Sequence, residues 1–227
     1  ERPRAAWRVT GARARRSWVM MPRMARRWVL AVAVAAGVVG AGCEPSKPAR
    51  PVVVKPPIDP NGPREIAILA GGCFWGMENV LRDAPGVVSI EVGYAGGKSS
   101  KVSYEDVSEG NTGHAESVRI VFDPHQLPYD DLLAHWFFRG HDPTTVNRQN
   151  NDVGPQYRSE IFTTSDAQRK TAESVKARVD ASGKWKRPIV TRIEPATTWV
   201  RAEEYHQDYL IKNPNGYNDH WLREFDF

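Results

Sequence analysis

Glu65-Ile66-Ala67-Ile68-Leu69-Ala70-Gly71-Gly72-Cys73-Phe74-Trp75-Gly76-Met77-Glu78-Asn79-Val80-Leu81 sets both the fold class and the chemistry of this chain. Residues 65–70 form a short apolar run closed by two glycines, the pattern of a buried strand. Residues 75–81 can open a helix, which Pro85-Gly86 must end. Beyond it, Val88, Ile90, Val92 and Tyr94 alternate with Val87, Ser89, Glu91 and Gly93, which predicts a strand with one apolar face. Residues 115–122 repeat the pattern and stop at Asp123-Pro124. Residues 130–139 read as a helix closed by Gly140, and 159–163 as a strand. Ser165-Asp166-Ala167-Gln168 has the form of a capping box opening a helix to about Ser182. Residues 191–193 read as a last strand and 203–211 as a helical turn. Strands and helices alternate without the regular period of a doubly wound sheet. The expected class is α+β, a compact two-layer sandwich of ferredoxin-like type with a mixed sheet.

Upstream of this block the composition changes. Residues 1–42 hold nine Arg and one acid, so a chain of net charge +4 leaves residues 43–227 at −4. The basic pI belongs to the leader, and a nucleic-acid partner is not expected. Arg23, Arg26 and Arg27 precede an uncharged run from Trp28 to Cys43 of 16 residues. That is short of the roughly 20 a spanning helix needs, and it reads as an export signal. Val39-Gly40-Ala41-Gly42-Cys43 resembles a bacterial lipobox, with Gly40 where a branched apolar residue is usual. The expectation is an exported protein of the periplasm or cell envelope, lipid-anchored through Cys43. Ordinary secretion and an uncleaved anchor are the alternatives. Met20, Met21 and Met24 are each suited to be the translation start. Residues 43–63 carry seven prolines and form a semi-rigid linker. Leader and linker are expected to be disordered, with the folded, monomeric domain spanning 64–227.

The chain has two cysteines, and only Cys73 lies in the domain. At the junction of strand and helix, free backbone N–H groups and the helix dipole favour thiolate over thiol. A lone Cys is more often a small buried hydrophobe, but two glycines that let backbone approach a ligand, and the rings of Phe74 and Trp75, argue for a site. Periodicity places Glu116 on the apolar face of its strand with Val118, Ile120 and Phe122. A carboxyl forced there is desolvated and stays protonated near neutral pH. The alternative is a rim carboxylate paired with a surface cation.

Gly72-Cys73-Phe74-Trp75-Gly76 with Glu78 resembles the active-site motif of A-type methionine sulfoxide reductases. The resemblance continues in order through Gly93-Tyr94-Ala95-Gly96-Gly97, Tyr104-Glu105-Asp106-Val107, Thr112-Gly113-His114-Ala115-Glu116 and His141-Asp142-Pro143. It recurs in the block from Asn151 to Ser159, and in Tyr205-His206-Gln207-Asp208-Tyr209 before Asn213-Pro214. It implies reduction of the S epimer of methionine sulfoxide, free or in oxidised proteins. Cys73 would become a sulfenic acid and Glu116 would protonate the departing oxygen. The resemblance also implies that Phe74 and Trp75 hold the substrate's S-methyl group and that Tyr104 and Tyr157 bind its oxygen. Asp152 would assist through hydrogen bonds. Read without the family, the tyrosines could be core and Asp152 a turn residue.

Many members carry a second Cys just after the Asn-Pro-x-Gly-Tyr turn; here Asn213-Pro214-Asn215-Gly216-Tyr217 is followed by Asn218. Regeneration is then expected from an external thiol, thioredoxin-like, glutaredoxin-like or small, with no bound cofactor. Other readings are weaker. Gly96-Gly97-Lys98-Ser99 lacks the first glycine of a phosphate loop, since Val92 stands there. The six His show no metal-ligand spacing. A cysteine hydrolase would pair Cys73 with His114 as base and Asp152 as its orienting acid. A non-enzymatic lipoprotein would bind a small ligand in the aromatic cleft.

Overall fold

The computed structural model describes residues 55–227. The expected leader, and the linker up to residue 54, lie outside the described residues. The domain is built in the order β1 (Glu65–Gly71), α1 (Phe74–Leu81), β2 (Val87–Ala95), α2 (Tyr104–Ser108) and β3 (Ala115–Phe122). A helical run then follows, a turn α3 (Tyr129–Asp131), a π-helical stretch (Leu132–Phe137) and a closing turn α4 (Phe138–Gly140). Next come a small hairpin, β4 (Arg148–Gln149) with β5 (Asp152–Val153), a 3-10 turn (Pro155–Tyr157) and β6 (Ser159–Thr163). The chain ends through α5 (Asp166–Ala181), β7 (Arg192–Pro195), β8 (Trp199–Arg201) and α6 (Tyr209–Lys212).

Six strands form one mixed sheet in the order β7-β6-β1-β3-β2-β8. All neighbours are antiparallel except β6 and β7, which are parallel. β1 lies between β3 and β6, with Leu69 opposite both Val118 and Ile161. Ala67 and Leu69 face the main core while Ile68 and Ala70 face a second cluster, so both faces of β1 are buried and its sequence is an apolar run. One face of the sheet contributes Leu69, Val92, Tyr94, Val118, Ile120 and Phe122 to the main core. They meet Phe74, Met77 and Leu81 of α1, Phe137 and Phe138, and Ala172, Val175 and Val179 of α5. Each fully buried large side chain contributes roughly 1.5–3 kcal/mol. The opposite face holds a smaller cluster of Ile68, Ala70, Ala95, Ala115 and Phe162. The fold is α+β.

Several local expectations are corrected. A bulge in β2 between Val87 and Ser89 turns Val87 into the core and leaves Val88 41% exposed, so the apolar face does not begin where alternation placed it. The single helix expected over 130–139 contains a π-helical turn. At Ser165 only half of the capping box forms. Its side chain accepts from the Gln168 amide at 3.2 Å, while Gln168 Oε1 accepts from Thr164. The full box forms at Ser103 and Asp106, opening α2, which periodicity missed. The expected turn over 203–211 is helical only from Tyr209, because Asp208 takes the left-handed conformation at φ 55°.

Candidate active site

β1 runs out at Gly71, Gly72 turns the chain at φ 99°, and Cys73 takes the N-cap position of α1. Its carbonyl accepts the first helical bond, from Met77 N at 3.3 Å. The glycines here admit protein side chains close to the backbone, Gly71 with a Cβ that would lie 2.9 Å from His141 Cγ. A Cβ at Gly72 would lie 2.4 Å from Gln149 Cγ, and one at Gly76 would lie 2.3 Å from His220 Nδ1. The neighbours are pinned in turn. Gln149 Oε1 accepts from Asp142 N at 3.0 Å, and His220 Nε2 donates to the Gly71 carbonyl at 2.7 Å. Behind Gly71 lies His141, which burial holds neutral with its pKa lowered to about 3. Its Nδ1 donates to Phe137 O at 2.8 Å, and Nε2 accepts from Ser159 Oγ at 2.7 Å. The turn that carries Cys73 is therefore fixed from three sides.

The thiol of Cys73 is buried, with 6% exposure. Burial pushes its pKa well above the usual thiol value. Glu116, Asp152 and Asp219 add to the rise, and the backbone N–H of Trp75 opposes it. The expected thiolate is corrected for the resting site: the helix N-terminus acts in the expected direction, and burial outweighs it. Glu116 follows the expectation. It stands opposite Tyr94 on the apolar face of β3, and burial raises its pKa to about 8. Its Oε2 accepts from Phe74 N at 3.0 Å, an opposing and smaller effect.

Cys73, Phe74, Trp75, Tyr104, Glu116, Asp152 and Tyr157 line one cavity of about 120 Å³, joined by Tyr217. That is the liquid volume of roughly four waters, enough for the end of one side chain. Six separate segments supply these residues. Tyr104 opens α2, where its N–H donates to Glu203 Oε1 at 2.9 Å while Glu203 Oε2 accepts from Tyr94 Oη at 2.8 Å. Asp152 comes from the β4–β5 hairpin, and burial raises the pKa of its carboxyl. Tyr157 closes the 3-10 turn, which Arg158 ties to the loop before β3 through Gly113 O at 3.1 Å. Burial raises the Tyr104, Tyr157 and Tyr217 pKa values, keeping all three hydroxyls protonated as donors.

Three residues near the thiol had no reading from the sequence. Tyr217 belongs to the quoted turn, but nothing in a turn motif says that its ring faces the cysteine. Asp219 and His220 carry no local signal, because their proximity to Cys73 is set by how the tail crosses α1. Glu78 is buried, with its pKa raised to about 7. It is bridged to Arg82 Nη2 at 2.9 Å and accepts from Asp208 N at 3.2 Å. It anchors the 205–209 segment to α1.

His114, the base a hydrolase would need, is engaged elsewhere. Its Nε2 meets Ser99 O at 3.0 Å and its Nδ1 meets Thr112 Oγ1 at 3.1 Å. It does not line the cavity. Two larger depressions, of about 470 and 490 Å³, flank α5 and contain no thiol.

The model of the family described as peptide methionine sulfoxide reductase matches residues 65–225. The peptide methionine sulfoxide reductase MsrA of Nocardia farcinica is 52% identical over 157 residues, 69% of this chain and 89% of that protein. The reduced form of Mxr1 from Saccharomyces cerevisiae has a similar structure at 42% identity. Its TM-score is 0.68, covering 74% of this chain and 96% of that one. The same yeast protein solved in complex with Trx2 gives 31% identity and a TM-score of 0.50, covering 76% and 99%. With its one domain thiol at the mouth of α1, a protonated acid beside it and this match over the whole domain, the chain belongs to the A-type peptide methionine sulfoxide reductase family, the peptide-methionine (S)-S-oxide reductases.

Proposed function

We propose that the chain reduces the S epimer of methionine sulfoxide through a Cys73 sulfenic acid. The observation that carries this reading is the pairing of a buried thiol with a buried, protonated carboxyl in one small cavity. The sulfoxide sulfur is electrophilic and its oxygen is a poor leaving group until protonated. Cys73 Sγ bonds to that sulfur as the oxygen takes the proton of Glu116. The thiol proton returns to Glu116, the substrate S–O bond breaks as the hydroxyl passes to Sγ, and the transient sulfur–sulfur bond breaks with its electron pair on the substrate sulfur, so that methionine leaves and Cys73 is a sulfenic acid. The cysteine sulfur loses two electrons and the substrate sulfur gains them. Tyr104 and Tyr157 donate to the oxygen, Asp152 assists by hydrogen bonding, and Phe74 with Trp75 hold the S-methyl group. That role suits apolar rings against a small polarisable group.

Regeneration is assigned to an external thiol. Cys73 is the one cysteine among the described residues. The sulfenic acid would condense with a first thiol, releasing water, and a second thiol would free Cys73 and leave as a disulfide. A thioredoxin-like dithiol is supported by the yeast relative solved with Trx2. An exported, lipid-anchored location is supported by the leader and Cys43. A ferredoxin-like core is supported by the order β6-β1-β3-β2 with helices between β1 and β2 and between β3 and β6. The test is incubation with the separate R and S epimers and dithiothreitol. S alone should be consumed, and consumption of R alone or of neither overturns the reading.

A further inference from the structure

Two residues of the tail are buried beside the cavity and have no part in the reaction as described. The His220 side chain is fully buried and that of Asp219 is 8% exposed. The imidazole fits against the first turn of α1 only because two glycines leave room for it. A Cβ on Gly76 would lie 2.3 Å from its Nδ1, and one on Gly72 would lie 3.2 Å from its Cε1. Asp219 stands between that turn and the β4–β5 hairpin, where Asn150 Nδ2 donates to its carbonyl at 2.9 Å. Tyr217, two positions earlier, lines the cavity, and the Asp219 charge acts on four of the lining residues, Cys73, Glu116, Asp152 and Tyr217. The charge state of the pair follows from hydrogen-bonding roles. His220 Nε2 lies 2.7 Å from the Gly71 carbonyl, which can only accept, so Nε2 carries a hydrogen. Nδ1 lies 2.6 Å from Asp219 Oδ1, and neither atom has a hydrogen-bond partner elsewhere among the described residues. Two bare lone pairs at that distance would repel, so one proton lies between them. Imidazole is ordinarily the stronger base of the two, which makes the couple an imidazolium against a carboxylate.

We propose that Asp219 is a positioning residue for proton transfer: seated by His220, it sets a fixed negative charge behind the cavity that holds the proton on Glu116 between turnovers. This deepens the reading of Glu116 as the acid and rests on it. The groups facing Glu116 are the Cys73 thiol from α1, the Tyr94, Tyr104 and Tyr157 hydroxyls from β2, α2 and the 3-10 turn, Asp152 from the hairpin and Asp219 from the tail. None of these is a cation, so no charge in the set favours the carboxylate. Burial is the largest reason that Glu116 keeps its proton, and the two aspartates add to it. They differ in exposure to substrate. Asp152 lines the cavity, where a bound sulfoxide can engage it, whereas Asp219 lies outside the lining and keeps its charge whether the cavity is full or empty. The His220 cation offsets part of that charge and ties the rest to the chain by its bond to Gly71, two positions before Cys73.

The test compares the full chain with Asp219→Asn. The amide can donate to His220 Nδ1, so the seat is kept and only the charge is lost. The titration midpoint of Glu116 is read from carboxyl 13C resonances of glutamate-labelled protein, assigned by Glu116→Gln. The first-step rate is followed against pH in single turnovers with the S epimer of methionine sulfoxide. Removing an anion beside an acid makes its proton easier to lose, so Asp219→Asn should lower the Glu116 midpoint by about 0.5–1 unit. The rate should then fall about three- to tenfold at pH 9 and change less at pH 6. A folded Asp219→Asn with an unmoved Glu116 midpoint overturns the proposal, since a merely structural Asp219 would leave that midpoint in place. If Asp219→Asn does not fold, the unsubstituted chain decides. The 15N resonances of the His220 imidazole must show both nitrogens protonated at pH 7, and a bare Nδ1 overturns the proposal. A chain that reduces neither epimer refutes the reading of Glu116 as the acid of this reaction, while the carboxyl resonance still tests the link between Asp219 and Glu116.

Discussion

Glu116 Oε2 accepts a hydrogen bond from the backbone N of Phe74 at 3.0 Å, so this carboxyl is tied to the residue directly after Cys73. The bond joins β3 to the first turn of α1 and fixes where the carboxyl meets the cavity. Glu116→Gln keeps an acceptor for that N–H and removes only the transferable proton. The rate of sulfenic acid formation, measured in a single turnover, should fall by roughly 10²–10⁴. An unchanged rate would make Glu116 a structural residue.

The pH dependence of that step follows from the raised carboxyl. Glu116 is useful in its protonated form, so the first-step rate should fall as pH rises through about 8. A parallel effect falls on stability. The folded pKa lies above the ordinary carboxyl value, so folding is unhindered below about 4.5 and loses stability as pH rises through about 8. Glu116→Gln should therefore raise the melting temperature at pH 9 and change it little at pH 5. The gain at pH 9 should be on the order of 3–5 kcal/mol in denaturant melts.

Cys73→Ser should abolish reduction by several orders of magnitude with the melting temperature nearly unchanged, because the side chains are close in size. Activity within about tenfold of the parent, with Cys43 also replaced, would place the nucleophile elsewhere.

Gly76→Ala should destabilise the fold by about 2–3 kcal/mol and slow the first step. The new methyl would meet His220 Nδ1 at 2.3 Å, and His220 is held by the Gly71 carbonyl. Adding His220→Ala should recover part of the loss in a double-mutant cycle. Independent, additive losses would show that the ring does not occupy that space in solution.

With Cys43→Ser in place, one equivalent of substrate and no added thiol should give one equivalent of methionine and then stop. The protein mass should gain one oxygen at Cys73. The turn at 213–217 brings Tyr217 to the cavity, and Asn218 Oδ1 would meet a Cβ on Gly76 at 2.9 Å. Asn218→Cys should then give an intramolecular disulfide with Cys73, two hydrogens lighter, where the tail permits Cα atoms within about 7 Å. Sustained turnover of the Cys43→Ser chain without thiol would contradict the single-cysteine scheme.

What could be read from the sequence depended on range. β1 was legible as an apolar run closed by glycines, β3 by its alternation and α5 by the capping pattern at Ser165, and Glu116 was legible because a carboxyl on an apolar face interrupts that alternation. The bulge at Val88 was not, since it arises where the turn at Gly86 bonds to Asp123 N across strands. α2 was hidden because one capping box at Ser103 defines it and a single turn has no period to detect. The cavity gathers residues from 73 to 217, and the family motifs named seven of them before any contact was known. Tyr217, Asp219 and His220 escaped because their place depends on the path of the tail. The thiolate expectation failed for a related reason: the helix N-terminus is local, whereas the burial that outweighs it comes from distant segments.

The tail over 217–220 closes on the glycines at 71–76, so the shelter of Cys73 is made of residues translated more than 140 positions after it. At about 5–20 residues per second, a ribosome would need roughly 7–30 s to supply them. Throughout that interval the nascent thiol lacks the walls that keep it buried and protonated. It can meet oxidants that the finished enzyme admits only as a fitted sulfoxide. Synthesis is then the period in which this cysteine is most open to unwanted oxidation.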